Sequence, residues 1–194
     1  MDSKTRPAHW ELREDELFSS CSIYSVHKQR FRHPVRQQEG QFYVIKTNNW
    51  VQAIALTPEK NIILVQQYRF GIQALSWETP GGALDGRELP IAGAARELQE
   101  ETGYVGKNAH LIGQCYPNPA IQDNTVFFVL IEDCVPSGAT QWDTHEELAT
   151  KVVTIAEAFD MVQTGEICHG IPVAALFYLQ SYLTAHASPV KHSV

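Results

Sequence analysis

Hydrophobic and polar positions along the chain fall into a strand-rich first half and a helix-flanked second half. Trp50 to Leu56 and Asn61 to Phe70 are rich in Ile, Val and Leu, and the turn Thr57-Pro58-Glu59-Lys60 lies between them, so they read as a strand pair. Upstream, Ser22 to Phe31 and Gln41 to Thr47 flank the polar stretch around His33, Pro34, Gln37, Gln38, Glu39 and Gly40, the pattern of a long hairpin. Such an arm has little core of its own and must pack on the main domain or on a second subunit. Ser76 to Pro80 is extended and runs into Gly81-Gly82; Pro90 then opens a helix to about Thr102, stopped by Gly103. Further strands are expected at Ala109 to Cys115, Thr125 to Ile131 and Lys151 to Ile155. Two helices finish the chain, Ala156 to Gln163 before Gly165 and Pro172 to about His186. The class is α+β with a mixed sheet. The one boundary, at Lys46 to Trp50, separates an arm (residues 1–48) from the main domain (49–194).

Composition narrows the function. The 194 residues carry 15 Lys+Arg against 22 Asp+Glu, a formal charge of −7, with 44% hydrophobic residues. This is an ordinary globular balance, and it argues against adhesion to nucleic acid or anionic membrane. There is no secretory apolar stretch at the N-terminus and no run of the ~18 apolar residues a spanning helix needs. Cys21, Cys115, Cys134 and Cys168 are scattered with no CxxC, the usage of reduced thiols in a cytoplasmic protein.

The chemistry concentrates in one segment. Glu97, Glu100 and Glu101 stand at i, i+3 and i+4 of the helix, so three carboxylates share one face. A bare acidic run is ordinarily a solvated face. Here it closes a longer pattern, G-x5-E-x7-R-E-U-x-E-E-x-G-U from Gly82 to Tyr104, where U is apolar or aromatic, with every fixed position filled. A chance fit at a given start is on the order of one in a billion. The segment resembles the Nudix box of the Nudix hydrolases, with Tyr104 where an aliphatic residue is more usual. A glycine turn leading into a carboxylate-bearing helix suits a hard divalent cation.

The resemblance implies an α/β/α sandwich and hydrolysis of a diphosphate linkage with Mg2+, for which Mn2+ substitutes. It makes Glu97 and Glu101 the main metal ligands, Glu100 a further ligand or water contact, and the Gly81 carbonyl a backbone ligand. Arg96 orients the carboxylates and Glu88 supports the loop. Gln66-Gln67-Tyr68-Arg69 followed by Glu78-Thr79-Pro80-Gly81-Gly82 is similar to ADP-ribose and nucleoside-diphosphate-sugar pyrophosphatases, in which the Arg and the Glu contact substrate. Arg69 suits a diphosphate and Glu78 ribose hydroxyls; the plain readings are a surface cation and a loop cap. Pro119, fifteen positions after Tyr104 (119 − 104), matches the subgroup spacing, in a segment whose Asn118 and Gln122 are substrate-contact candidates. Trp50 reads as a base-stacking platform or as core. The general base is expected on the loop Trp142 to Leu148, with Glu146 first and Glu147 second. The hairpin arm resembles one that relatives exchange between two subunits, which implies a homodimer.

Two other readings stand beside a nucleoside-diphosphate-sugar substrate. One keeps the chemistry on GDP-mannose, a dinucleoside polyphosphate or an RNA 5′ end, the last opposed by the acidic charge and kept open by the local basic patch Lys28, Arg30, Arg32 and Arg36. The other is a sensor that binds nucleotide without hydrolysis.

Overall fold

The computed structural model describes residues 6–142, 144 and 147–186. The chain divides into two compact units, one of residues up to Asn48 with Tyr116–Asn124, the other of Asn49–Cys115 with the residues from Thr125 onward.

The first unit is an antiparallel sheet of β1 (Glu11–Ser20), β2 (Tyr24–Arg32) and β3 (Glu39–Thr47), in that order. The two arms of the expected hairpin are β2 and β3. Strand β1 is an addition to that expectation, because its ten residues are all exposed and carry no apolar alternation. What holds it is charge across the ladder. Glu14 stands opposite Arg30 and Glu16 opposite Lys28 in the register, the arrangement in which opposite charges stabilise a sheet. Asp15 accepts from Lys46 Nζ at 2.6 Å and from Gln29 Nε2 at 3.2 Å, and lies 2.6 Å from His27 Nδ1. The Lys46 and His27 contacts hold its carboxyl down at about 2. Of the basic residues singled out above, Lys28 is matched by Glu16 and Arg30 by Glu14 and Glu39 within the sheet, Arg32 donates to the neutral Gln37 of the turn, and Arg36 lies over the Trp10 ring. Ile121 and Asp123 extend this unit by backbone hydrogen bonds to Ile45.

The second unit contains β4 (Trp50–Ala55), β5 (Ile62–Arg69), β6 (Ala74–Glu78), β7 (Gly81–Ala83), α1 (Pro90–Thr102), β8 (Tyr104–Cys115), β9 (Val126–Pro136), β10 (Ala149–Val153), α2 (Ile155–Thr164) and α3 (Gly170–His186). One sheet has the order β7-β4-β9-β8, with β4 and β9 parallel and the other pairs antiparallel; the second has the order β10-β5-β6. The expected pairing of β4 with β5 is corrected here. Only a Leu56–Ile62 bridge joins them, because Val51 to Ala55 are all buried and a strand covered on both faces sits inside a sheet.

The period-2 alternation sorts side chains into two cores. Ile54, Leu56, Ile62, Leu64, Val126, Phe128 and Leu130 meet Ala158 and Met161 of α2 and Ala175, Leu176 and Leu179 of α3. Val51, Ala53, Ala55, Ile63, Val129 and Ile131 meet Ala94 and Leu98 of α1. Helices thus cover both faces, an α/β/α sandwich with a mixed sheet, as expected. Helix α2 begins at Ile155, where Thr154 and Glu157 form a capping box; the T-x-x-E signal was there in the sequence and ends β10 at Val153. No described helix is long and apolar enough to cross a membrane.

Helix α1 spans the expected residues. Pro90 occupies its first turn and Gly103 its C-cap at φ 71, with the Gly103 N–H on Gln99 O. The last carbonyls of the helix are taken up by residues 137–142: Ser137 N donates to Gly103 O, Gln141 N to Glu100 O, and Trp142 Nε1 to Glu101 O at 3.1 Å. A methyl group on Gly103 would lie 2.4 Å from Gly138 O and force a left-handed φ on an L side chain. Gly103→Ala is expected to cost about 2–3 kcal/mol, read as a lower urea midpoint; an unchanged midpoint would show that this closure contributes nothing.

Candidate active site

The carboxylates lie where strand β7 runs under helix α1. Gly81 and Gly82 form β7 opposite Gln52 and Val51 of β4, and there is no room there for side chains. A Cβ on Gly81 would meet Val51 O at 2.2 Å, and one on Gly82 would meet Glu97 Oε1 at 2.6 Å. The loop backbone therefore rests directly against the Glu97 carboxylate. Glu101 is buried, and its Oε2 accepts from Gly81 N at 3.0 Å. Beneath the loop, Thr79 Oγ1 donates to buried Gln52 Oε1 at 2.5 Å, and Ala53 N donates to Pro80 O at 2.7 Å.

Arg96 organises the remaining carboxylates. Its Nε and Nη2 make a bidentate pair with Glu88 at 3.0 and 2.9 Å, and Nη1 reaches Glu97 at 2.8 Å and Glu100 at 3.0 Å. The Arg96 contacts hold the Glu88 carboxyl below its usual range, and Glu88 foremost among its partners raises the Arg96 guanidinium. Glu88 also accepts from Asp85 N, which closes the loop into the helix. One cation thus faces Glu88, Glu97 and Glu100, with Glu101 next in the helix. This leaves an excess of negative charge on hard oxygen donors.

Those residues fit a divalent cation in kind. The loop glycines leave the Glu97 carboxylate against the backbone of Gly82, and an added charge of +2 would offset the excess that Arg96 leaves. Among the described residues no three acidic, imidazole or thiol groups already surround one point; the carboxylates are engaged by Arg96 and Gly81 N. Glu97, Glu100, Glu101 and the Gly81 carbonyl are the groups that would hold the ion.

A second cluster lies at the end of β5. Arg69 Nε and Nη2 make a two-pronged pair with Glu78 Oε1 and Oε2 at 2.8 and 2.5 Å, and His169 Nδ1 lies 3.1 Å from Oε2. The Glu78 side chain is only 1% exposed, against 38% for that of Arg69. Burial alone would push its carboxyl up, but the Arg69 and His169 hydrogen bonds outweigh burial and hold it at about 2. Sequence reasoning named Arg69 and Glu78 separately and missed both their pairing and His169. In the β5–β6 ladder Arg69 stands opposite Ala74 and Glu78 opposite Val65, so strand register gave no signal of the pairing, which the reach of the Arg69 side chain makes.

The other candidates are more scattered. Trp50 is half-buried against the core under α2 and α3. Asn118 and Gln122 belong to the first unit, where Asn118 O accepts from Ile121 N and Gln122 N. Glu147 is exposed beside buried Leu148, while Glu146 lies outside the described residues.

With this geometry in view, comparison with known proteins is decisive for the family. The model of the NUDIX domain matches residues 47–171. The chain belongs to the Nudix family. It is 33% identical over 138 residues to an ADP-ribose pyrophosphatase of Bacillus subtilis (strain 168), covering 71% of this chain and 75% of that one. It is 28% identical over 187 residues to an ADP-ribose pyrophosphatase of Mycobacterium tuberculosis, covering 93% of this chain and 87% of that one. A crystal structure of an ADP compounds hydrolase superposes with a TM-score of 0.83 at 18% identity, covering 94% of this chain and 99% of that one. At that identity the superposition speaks for the fold. The Nudix segment Gly82–Tyr104 thus sits on the β7–α1 scaffold described above.

Proposed function

We propose that this Nudix protein is a divalent-metal-dependent pyrophosphatase that cleaves ADP-ribose or a related nucleoside-diphosphate sugar into a nucleoside monophosphate and a sugar phosphate. The observation that carries this reading is the Arg96-held set Glu97, Glu100 and Glu101 against the Gly81–Gly82 backbone. It is supported by the ADP-ribose pyrophosphatase relatives. Bound Mg2+, or Mn2+ in its place, supplies neutralisation of the diphosphate charge and a more acidic water.

The chain supplies orientation and proton transfer. Arg96 keeps Glu97 and Glu100 aligned along the helix, and Glu101 holds the glycine loop through Gly81 N. Arg69, fixed by Glu78, presents its guanidinium to the diphosphate oxygens. Water attacks one phosphorus, the bond to the bridging oxygen breaks, and a glutamate of the 142–148 loop takes the water's proton. Glu146 is the first assignment for that base and Glu147 the second. Glu78 acts on the substrate through Arg69, since its enclosed carboxylate has both oxygens engaged. Trp50, Asn118 and Gln122 are proposed to contact the base and sugar.

Residues 1–48 are proposed as a dimerisation arm, exchanged between subunits, on the main domain 49–194. The exposed Leu12, Leu17, Phe18, Tyr24, Phe42 and Tyr43 of its sheet support a homodimer, and a monomeric mass in solution would remove it. Four unpaired cysteines suit a cytoplasmic setting. An RNA 5′ end is disfavoured as substrate, because Lys28 and Arg30 are matched by acidic residues of their sheet. Incubation with Mg2+ and a panel of ADP-ribose, ADP-glucose, GDP-mannose and diadenosine polyphosphates is expected to release AMP fastest from ADP-ribose. Binding without turnover of any of them would make the protein a sensor.

A further inference from the structure

The segment joining α2 to α3 touches β6 at three points. Trp77 N donates to Glu166 O at 3.1 Å, Cys168 Sγ lies 3.8 Å from Ser76 Oγ, and His169 Nδ1 lies 3.1 Å from Glu78 Oε2. Strand β6 is the edge of its sheet, and this segment covers that edge. Of the three contacts, the His169 contact reaches a charged and enclosed group.

We infer that His169 is a positioning residue: through Glu78, which takes the Nε–Nη2 edge of Arg69, it fixes the plane in which the rest of that guanidinium meets the substrate's diphosphate. This rests on the reading of Arg69 as the diphosphate contact. The Glu78 carboxylate ends in a torsion with broad minima, so a pair held by Arg69 alone swings as a unit. A donor from a second element removes that freedom. A carboxylate only accepts, so the His169 Nδ1 atom carries the hydrogen. His169 is itself anchored at the start of α3, where its carbonyl accepts from Val173 N at 3.3 Å. The low Glu78 pKa agrees with a carboxylate kept ionised by donors on both sides.

The test compares His169→Leu, which removes the donor, with His169→Asn, whose amide nitrogen stands close to the place of Nδ1. ADP is titrated calorimetrically in EDTA, and kcat and KM for ADP-ribose are measured with Mg2+. In the leucine variant the Kd for ADP and the KM are expected to rise about tenfold, as when a partner behind a contact residue is removed, while kcat stays within about twofold. The asparagine variant is expected to restore both to within about twofold of wild type. Leucine and wild-type proteins that bind ADP alike, or an asparagine variant as weak as leucine, overturn the inference and leave the function standing. A wild-type protein that neither binds ADP nor cleaves ADP-ribose overturns the reading of Arg69 and the inference with it.

Discussion

With Mg2+ and ADP-ribose, Glu97→Gln is expected to lower kcat/KM by about 10^3-fold while the fold stays intact. The magnitude is that of losing one preorganised electrostatic contact in a site where charge builds up on phosphate oxygens. A readout independent of turnover accompanies it. Magnesium at a hundredfold excess over its Kd is expected to stabilise the wild-type protein by about 2.7 kcal/mol, a shift expected to disappear in Glu97→Gln. In EDTA the variant melts at or slightly above the wild-type temperature, since Arg96 keeps its bidentate pair with Glu88 and one of the crowded carboxylates is gone; relief of like charge at helical spacing is worth only a few tenths of a kcal/mol. Glu146→Gln is expected to give the complementary signature, a rate lower by roughly 10^2 to 10^4 with the magnesium shift preserved. A Glu97 variant that keeps the shift, or a Glu146 variant that keeps the rate, removes the corresponding assignment.

Arg69→Leu is expected to destabilise the protein by about 3–5 kcal/mol at neutral pH, because it strands the enclosed Glu78 carboxylate with His169 as the donor left to it. The reverse change is milder. Glu78→Gln leaves a guanidinium that is more than a third exposed and can turn to water, so about 1–2 kcal/mol is expected. The pH dependence has a definite sign. Glu78 titrates at about 2 in the folded protein against an ordinary 4.5, so its contribution is complete above about pH 4.5 and is lost as the pH falls through about 2. The gap in urea stability between wild type and Arg69→Leu is therefore widest at pH 7 and closes as the pH is lowered below about 4.5. A gap that stays constant down to pH 3 would mean that the Arg69 effect is packing and not charge.

The acidic helix was legible because its information is local. Glu97, Glu100 and Glu101 follow from helical spacing, and Pro90 and Gly103 mark the ends that the structure shows. The Glu88–Arg96 pair lies within one loop-to-helix passage. Strand β1 was not legible, since Leu12 to Phe18 has no alternation and is held by charges that belong to β2 and β3. Nor could the sequence separate β4 from β5. Their apolar runs look like hairpin partners, and it is burial on both faces that sends β4 to β7 and β9 instead.

By itself, then, the chain of residues determined the elements other than β1, the alternation that sorts side chains onto two faces, and a carboxylate helix behind a glycine turn. All of these depend on neighbours within a few positions, where periodicity and φ preferences act. Tertiary structure alone decided that Glu78 is enclosed, that Arg69 closes on it, and that His169, 91 residues further along, completes the cluster. Contacts at that separation depend on which strand edge the α2–α3 connection covers, and no local propensity encodes that choice.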